Sequence, residues 1–269
     1  MSELSELIRS RRSVRTFDGN PLSADDREKI ERFISDVPNP FGIPVEFVLL
    51  DTEKYGLSSP VISGEKLYIA GKVKKIPYAD VAFGYSFERL VLYAWSMGIG
   101  TTLIGGTMKR DLFEKAAGLK EGEMMPCVSP LGYPAKKQSL REMLMRKGTG
   151  ADKRMPAEKL LFDGMFDVPL GGKKKEAVSE VIDMVRFAPS AVNKQPWRII
   201  AEGNRYHFYE KKDNGYVGEA TGDLQKIDVG IALCHFVMGL EEQGKKPEVK
   251  INDPGIIIPD GVEYIATVQ

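Results

Sequence analysis

Two stretches of this chain pass through the same succession of elements, and a chain that repeats itself in this way folds as related units packed on one another. EKIERFISDVP (28–38) has apolar residues at helical spacing, stops at Pro38 and leads into PVEFVLLD (44–51), a β-branched, apolar run that reads as a buried strand. EAVSEVIDMVRFAP (176–189) carries Val178, Val181, Ile182 and Val185 at helical spacing, stops at Pro189 and leads into the strand-like PWRIIAE (196–202). The offset is about 152 residues at Pro44 and Pro196. Further on, LYAWSMG (92–98) is echoed by CHFVMGL (234–240) at an offset near 141, which places an insertion in the first copy. The polar, glycine-containing RKGTGAD (146–152) reads as the linker and divides the chain into halves 1–150 and 151–269.

Within this frame the spacing predicts a short amphipathic helix on Leu4, Leu7 and Ile8, and a second helix started by Pro21 and Ser23 with Asp25 and Asp26 in its first turn. A long helix is expected over 79–97, ended by Gly98 and Gly100. FERLVLYAWSM within it is apolar on most faces and must be buried. The fold class that follows is α+β: two related halves, each a mostly antiparallel sheet flanked by helices, joined through a large helical interface.

Composition narrows the function classes. The 38 basic residues cancel the 38 acidic ones, so no global field draws the chain to nucleic acid or to an anionic membrane, and any anion site is local. Cys127 and Cys234 are too few and too far apart for a disulfide framework or a zinc cluster. The N-terminal residues lack a signal-peptide core, and no apolar run reaches the roughly 20 residues of a membrane helix, so a cytoplasmic location is expected.

The copies differ where chemistry could sit. RRSVRTF (11–17) gathers Arg11, Arg12 and Arg15 around Ser13, with no similar cluster in the second half. Guanidinium forks and a hydroxyl at a helix end suit a phosphate, although arginines there also complement the helix dipole. Conversely, APSAVNKQPW (188–197) is rich in side-chain donors and acceptors, while its counterpart VPNPFGIPV (37–45) is nearly stripped of them. It reads either as part of a binding site or as a proline-stiffened loop whose Trp197 packs in the core.

RRSVRTF, APSAVNKQPW, LYAWSMGIGTTLIGG (92–106), LGYP (131–134) and KRMPAEKL (153–160) together resemble the motif series of the FMN-dependent nitroreductases. In that family the arginine motif and the PSxxNxQPW motif occur in one subunit, and two subunits intertwine to form two flavin sites. Here the motifs are divided between the halves, so the chain resembles a fused, tandem pseudo-dimer. The resemblance implies that Arg11 and Arg154 hold the FMN phosphate with Arg12 and Ser13 nearby, and that Arg15 lies near N1 and O2 of the ring. Backbone groups of Ile104, Gly105 and Gly106 would approach N5 and O4, while Pro189, Ser190, Ala191 and Asn193 would reach across from the second half. Because VPNPFGIPV departs from the motif, one FMN per chain is expected.

The implied activity is an FMN-dependent oxidoreductase that passes reducing equivalents from NADH or NADPH to a small acceptor such as a nitroaromatic or quinone. The alternative is a non-catalytic flavin-binding or storage protein. No side chain is singled out as a catalytic acid or base, so positioning and flavin electronics would carry the rate. No metal, nucleic-acid or membrane partner is expected, and the chain would be a monomer or a homodimer. GIGTTLIGG (98–106) lacks the GxGxxG spacing and follows a helix where the dinucleotide fingerprint requires a strand. His207 and His235 read as packed or surface residues, and GGKKKE (171–176) as a solvated helix start.

Overall fold

The computed structural model describes residues 2–269. Helix α1 (Glu3–Ser10) starts where the Ser2 hydroxyl accepts the N–H of Ser5, and it buries Ile8. Helix α2 (Ala24–Ile34) uses the same device, with the Ser23 hydroxyl 3.1 Å from the Asp26 N–H. The chain then runs through β1 (Glu46–Asp51), the single turn α3 (Thr52–Tyr55), β2 (Leu67–Lys74) and the long α4 (Ala79–Ser96). Helix α5 (Arg110–Ala117), β3 (Glu123–Met124) and β4 (Val128–Leu131) follow. Strand β2 pairs antiparallel with β1 along one edge and with β4 and β3 along the other.

The rest of the chain comprises α6 (Leu140–Gly148), β5 (Leu161–Asp163), α7 (Gly172–Arg186), β6 (Trp197–Glu202) and β7 (Arg205–Lys211). After these come β8 (Val217–Gly218), β9 (Gly222–Asp223), α8 (Leu224–Glu242), β10 (Val249–Lys250) and β11 (Val262–Val268). A second sheet has the order β10-β11-β7-β6-β5, antiparallel except for the parallel pair β5 and β6. The order α2–β1–β2–α4–β4 is thus repeated as α7–β6–β7–α8–β11, with the same antiparallel pairing of the three strands in each copy.

The two sheets are joined by α4 and α8, which pack on each other. Their contact is reciprocal. A Cβ on Gly84 would lie 2.0 Å from the carbonyl oxygen of Ile227, and one on Gly230 would lie 2.2 Å from that of Val81. Val81 and Gly84 stand to Ile227 and Gly230 at one constant offset, so each helix presents the same patch to the other, as in an isologous interface. Such close backbone approach tolerates no side chain at either glycine. Both helices are apolar nearly all round because neighbours cover every side. One continuous core takes in Phe47 and Ile69 of the first sheet, Phe83 and Ile231 of the two helices, and Ile199 and Phe208 of the second sheet.

Two details differ from the sequence reading. The Met–Gly echo is not the structural correspondence: Met97 and Gly98 close α4, whereas Gly239 lies inside α8, where the missing side chain admits Met184 of α7. The segment read as a linker is also partly helical, since α6 carries Arg146 to Gly148 before the chain turns at Thr149 to Asp152. The first difference arises because a Met–Gly pair that ends one helix also serves inside another where a neighbour needs the room, and the second because the basic residues Arg146 and Lys147 read as polar linker also suit the last turn of a helix.

Candidate functional site

The segment after α1 runs as an extended strand against the segment after α4: Ser13 bridges Thr101, and the Val14 N–H donates to the Thr101 carbonyl at 2.9 Å. Alternation then buries Val14 completely and turns Ser13 and Arg15 the other way, into a cleft. One end of this cleft, a cavity of about 160 Å³, is walled by Leu103, Cys127, Leu224, Ile227 and Ile231, with Asp228 among them. The adjoining end, about 500 Å³, is lined by Arg9, Arg11, Arg12, Arg15, Arg146 and Arg154. Arg11, Ser13, Arg15, Leu103, Pro189, Ser190 and Val192 border both ends. The cleft is therefore apolar at one end and strongly cationic at the other.

Three of these arginines are in close ion pairs, Arg11 is in a long one, and two have none among the described residues. Arg9 pairs with Asp183 at 3.1 Å, Arg12 with the buried Glu142 at 3.0 Å, and Arg146 with Asp152. Glu142 also accepts the Arg15 backbone N–H at 3.2 Å, so this carboxylate fixes the course of the arginine strand. The Arg11 side chain donates to the Phe187 carbonyl at 3.2 Å and lies 3.9 Å from Glu88, with its Nε unpartnered. Arg154 lies over the Phe187 ring and donates only to the carbonyls of Ala151 and Lys153, leaving its buried Nε unpartnered. Among the described residues Arg15 and Arg154 have no carboxylate ion pair. Burial lowers the pKa of all three guanidinium groups, and the nearby Arg146 lowers them further. Cations crowded in a partly dry cleft with unused donors call for an anion.

The opposite wall is APSAVNKQPW, whose backbone is strained. Val192, Asn193 and Gln195 all adopt positive φ, at 42°, 59° and 51°, and for a β-branched residue such as Val192 this is costly. Internal bonds hold the turn: the Ser190 hydroxyl accepts the Gln195 N–H at 2.9 Å, and both carboxyl oxygens of Asp228 accept the Ala191 N–H at 3.1 and 3.0 Å. Burial pushes the Asp228 carboxyl well above the usual carboxylate range, and the Ala191 N–H opposes that rise. The Asn193 amide donates to the carbonyls of Gly150 and Lys153 at 2.7 and 2.9 Å, and Gln195 accepts the Met155 N–H at 2.8 Å. These two side chains fasten the stretch that carries Arg154. Trp197 is wholly buried in the core.

The cleft brings together Arg11, Arg12, Ser13, Arg15, Gly105, Arg154, Pro189, Ser190, Ala191 and Asn193. Ile104 and Gly106 are not among its lining residues. The Ile104 N–H and carbonyl are both engaged by Val128, at 2.8 and 3.0 Å, while the Gly105 carbonyl accepts from Arg110 at 2.6 Å. Sequence reasoning missed Glu88, Glu142, Arg146 and Asp228. Three of them are acids buried to 4% exposure or less, and an acid inside an apolar helical run was the available signal, because such residues are seldom fully buried unless paired.

The family model described as "Putative TM nitroreductase" matches residues 3–240. Among solved structures, a "putative nitroreductase" from Thermotoga maritima is 20% identical, with a TM-score of 0.64 over 99% of this chain and 93% of that one. A nitroreductase with bound FMN from Bacteroides fragilis is 21% identical, with a TM-score of 0.43 over 52% of this chain and 92% of its own. A protein from Parabacteroides distasonis described as a putative NADH dehydrogenase/NAD(P)H nitroreductase is 22% identical, with a TM-score of 0.44 over 52% and 91%. No curated protein matches the chain. With the family model spanning most of the chain and the fold shared along its length, the chain belongs to this nitroreductase family.

Proposed function

We propose that this chain binds one FMN in the cleft and is an oxidoreductase that moves reducing equivalents from NADH or NADPH to a small acceptor such as a nitroaromatic or a quinone. The observation that carries the reading is the gradient along the cleft: a cationic end with Arg9, Arg12, Arg146 and Arg154, a mainly apolar slot with Leu224, Ile227 and Ile231, and Arg11 and Arg15 where the two meet suit a molecule with a phosphate tail and a flat aromatic head. Family membership supports the same cofactor and reaction class. The arrangement also favours a fused pseudo-dimer with halves 1–150 and 151–269, each supplying one wall of a single site.

In this reading Arg11 and Arg154 hold the phosphate, Ser13 adds a hydroxyl, and Arg12 supports the wall through Glu142. Arg15 faces the pyrimidine edge of the ring, where a cation stabilises negative charge. The backbone at Gly105 and the loop from Pro189 to Asn193 enclose the ring, and Asn193 acts by anchoring the Arg154 segment. FMN, when bound, supplies the two-electron chemistry, while the chain orients the partners and shields them from water. Leu103, Leu224, Ile227 and Ile231 give the apolar end its dryness. No described helix is long and apolar enough to cross a membrane, which is consistent with a cytoplasmic enzyme.

Anaerobic addition of NADH or NADPH to the FMN-loaded protein should bleach the visible flavin band, and a nitroaromatic or quinone should restore it. A flavin that dithionite reduces but neither nucleotide does would replace the enzyme with a storage protein.

A further inference from the structure

Behind Arg11, at the crossing of α4 and α8, lies a buried pair that the cleft itself does not use. Glu88 of α4 and His235 of α8 are both fully buried, with Nε2 of the ring 2.8 Å from one carboxyl oxygen. The other ring nitrogen, Nδ1, is 2.8 Å from the Met184 carbonyl of α7. The same Glu88 oxygen lies 3.9 Å from Arg11 Nε, whose side chain is only 6% exposed.

Hydrogen-bond stoichiometry fixes what this arrangement contains. A carbonyl cannot donate, so Nδ1 carries a proton toward Met184. The bond between Nε2 and Glu88 needs a second proton, held by one partner or the other. Glu88 and His235 together are therefore neutral. With Arg11 added, the cluster carries one net positive charge. Glu88 alone, 3.9 Å from Arg11, would cancel the charge of the guanidinium.

We propose that His235 is a charge-compensating residue: by pairing with Glu88, which lies 3.9 Å from Arg11 without a hydrogen bond to it, it leaves the full positive charge of Arg11 available to a phosphate-bearing ligand. This rests on the reading of the cleft as an FMN site. Arg11 is the member of the trio that lines the cleft, while Glu88 and His235 reach the ligand only through it. The device would tell FMN from riboflavin, which shares the ring system but has no phosphate.

The test compares FMN and riboflavin affinities of the full-length apoprotein and three variants by fluorescence quenching. His235→Gln leaves Glu88 free to neutralise Arg11, so FMN affinity should fall about tenfold while riboflavin affinity changes little. Glu88→Gln keeps the net charge and should alter the FMN-to-riboflavin ratio by less than about threefold. Glu88→Gln/His235→Gln removes both charges and should recover most of the FMN affinity lost in the single His235 variant. Equal losses for both ligands in His235→Gln, or no recovery in the double variant, would overturn the proposal and leave a purely structural ion pair. Should His235→Gln not fold, the unmodified protein still decides: nitrogen-15 NMR of the His235 ring must show a proton on Nδ1, and its absence refutes the arrangement. Failure of the unmodified protein to bind FMN overturns the site reading and this inference together, whereas FMN binding with an unchanged ratio in His235→Gln overturns this inference alone.

Discussion

The loop between α7 and β6 and the loop between α2 and β1 occupy the same place in the repeated order, yet they have opposite characters. The first, at 189–196, is held in a strained turn by Ser190, Gln195 and Asp228 and borders the cleft. The second, at 38–44, is closed on itself: the Asn39 amide donates to the Ile43 carbonyl and the Ser86 hydroxyl, and Phe41 stacks on Tyr78 with ring centroids 6.1 Å apart. At the offset set by the reciprocal glycine contact, Tyr78 corresponds to Leu224, a wall of the cleft. An aromatic stack thus stands where the other side keeps a slot. At the same offset Arg11 and Arg15 correspond to Ala157 and Leu161, so the arginine cluster has no counterpart there. A duplicated scaffold can keep its packing symmetric while its chemistry survives on one side, because packing is imposed by the shared interface and the ligand contacts are not.

The largest effects should fall on what the two sides share. Gly84→Ala and Gly230→Ala each drive a Cβ into a backbone carbonyl, so each should cost about 3 kcal/mol or more of stability by chemical denaturation, and by similar amounts. Gly106→Ala, with nothing within 4 Å, should be nearly neutral. A large difference between Gly84→Ala and Gly230→Ala would mean that the helices do not meet reciprocally.

Next come the contacts that distinguish the sides. Arg11→Ala or Arg154→Ala should weaken FMN binding by about 2 kcal/mol, some thirtyfold, with the fold intact. Phe41→Ala, on the closed side, should lower the melting temperature and leave the FMN affinity unchanged. Arg12→Ala takes away the guanidinium partner of the buried Glu142 and should show its effect first in stability. Val192→Gly removes the strain of a β-branched residue at φ 42° and should stabilise the protein by about 0.5–1 kcal/mol. A loss of stability there would show that the turn is not strained.

A further effect concerns pH. Burial pushes Asp80, in the first turn of α4, up to about 6 from 3.8, and Glu210 of β7 up to about 7 from 4.5. The Asp223 backbone N–H opposes the rise on Asp80 more than the Asp223 charge adds to it, whereas on Glu210 the Asp223 charge adds to the rise; Lys226 opposes it on both and Lys212 also on Glu210. A carboxyl raised on folding contributes stability that is full below its unfolded value and is lost as pH rises through its folded value. Melting temperature should therefore decline from about pH 4 to about pH 7, and Asp80→Asn/Glu210→Gln should flatten that decline.

Much of this was legible in the sequence because it rests on local rules. The cap at Ser23, the amphipathic spacing of α1, the strands PVEFVLLD and PWRIIAE and the two apolar helices are set by spacing and terminators that act within one or two turns. The uneven distribution of polar motifs along the chain was legible too, whereas the convergence of the arginine strand and APSAVNKQPW on one cleft was implied only by the family resemblance. What stayed hidden depends on contacts far apart in sequence. Glu142 reaches Arg12 across 130 positions, and His235 reaches Glu88 across 147. Nor could composition tell that Asn193 and Gln195 tie down residues 150 to 155, since an amide that faces a ligand and one that faces a backbone carbonyl look the same in sequence.

The central claim is that one side of a symmetric scaffold holds the flavin and the other has lost it. Its most direct test is to saturate the purified protein with FMN, remove free cofactor, denature, and measure released FMN against chain concentration. One FMN per chain is the predicted result. Two per chain would mean that the Phe41–Tyr78 side still binds, and none would mean that the cationic cleft serves some other anion.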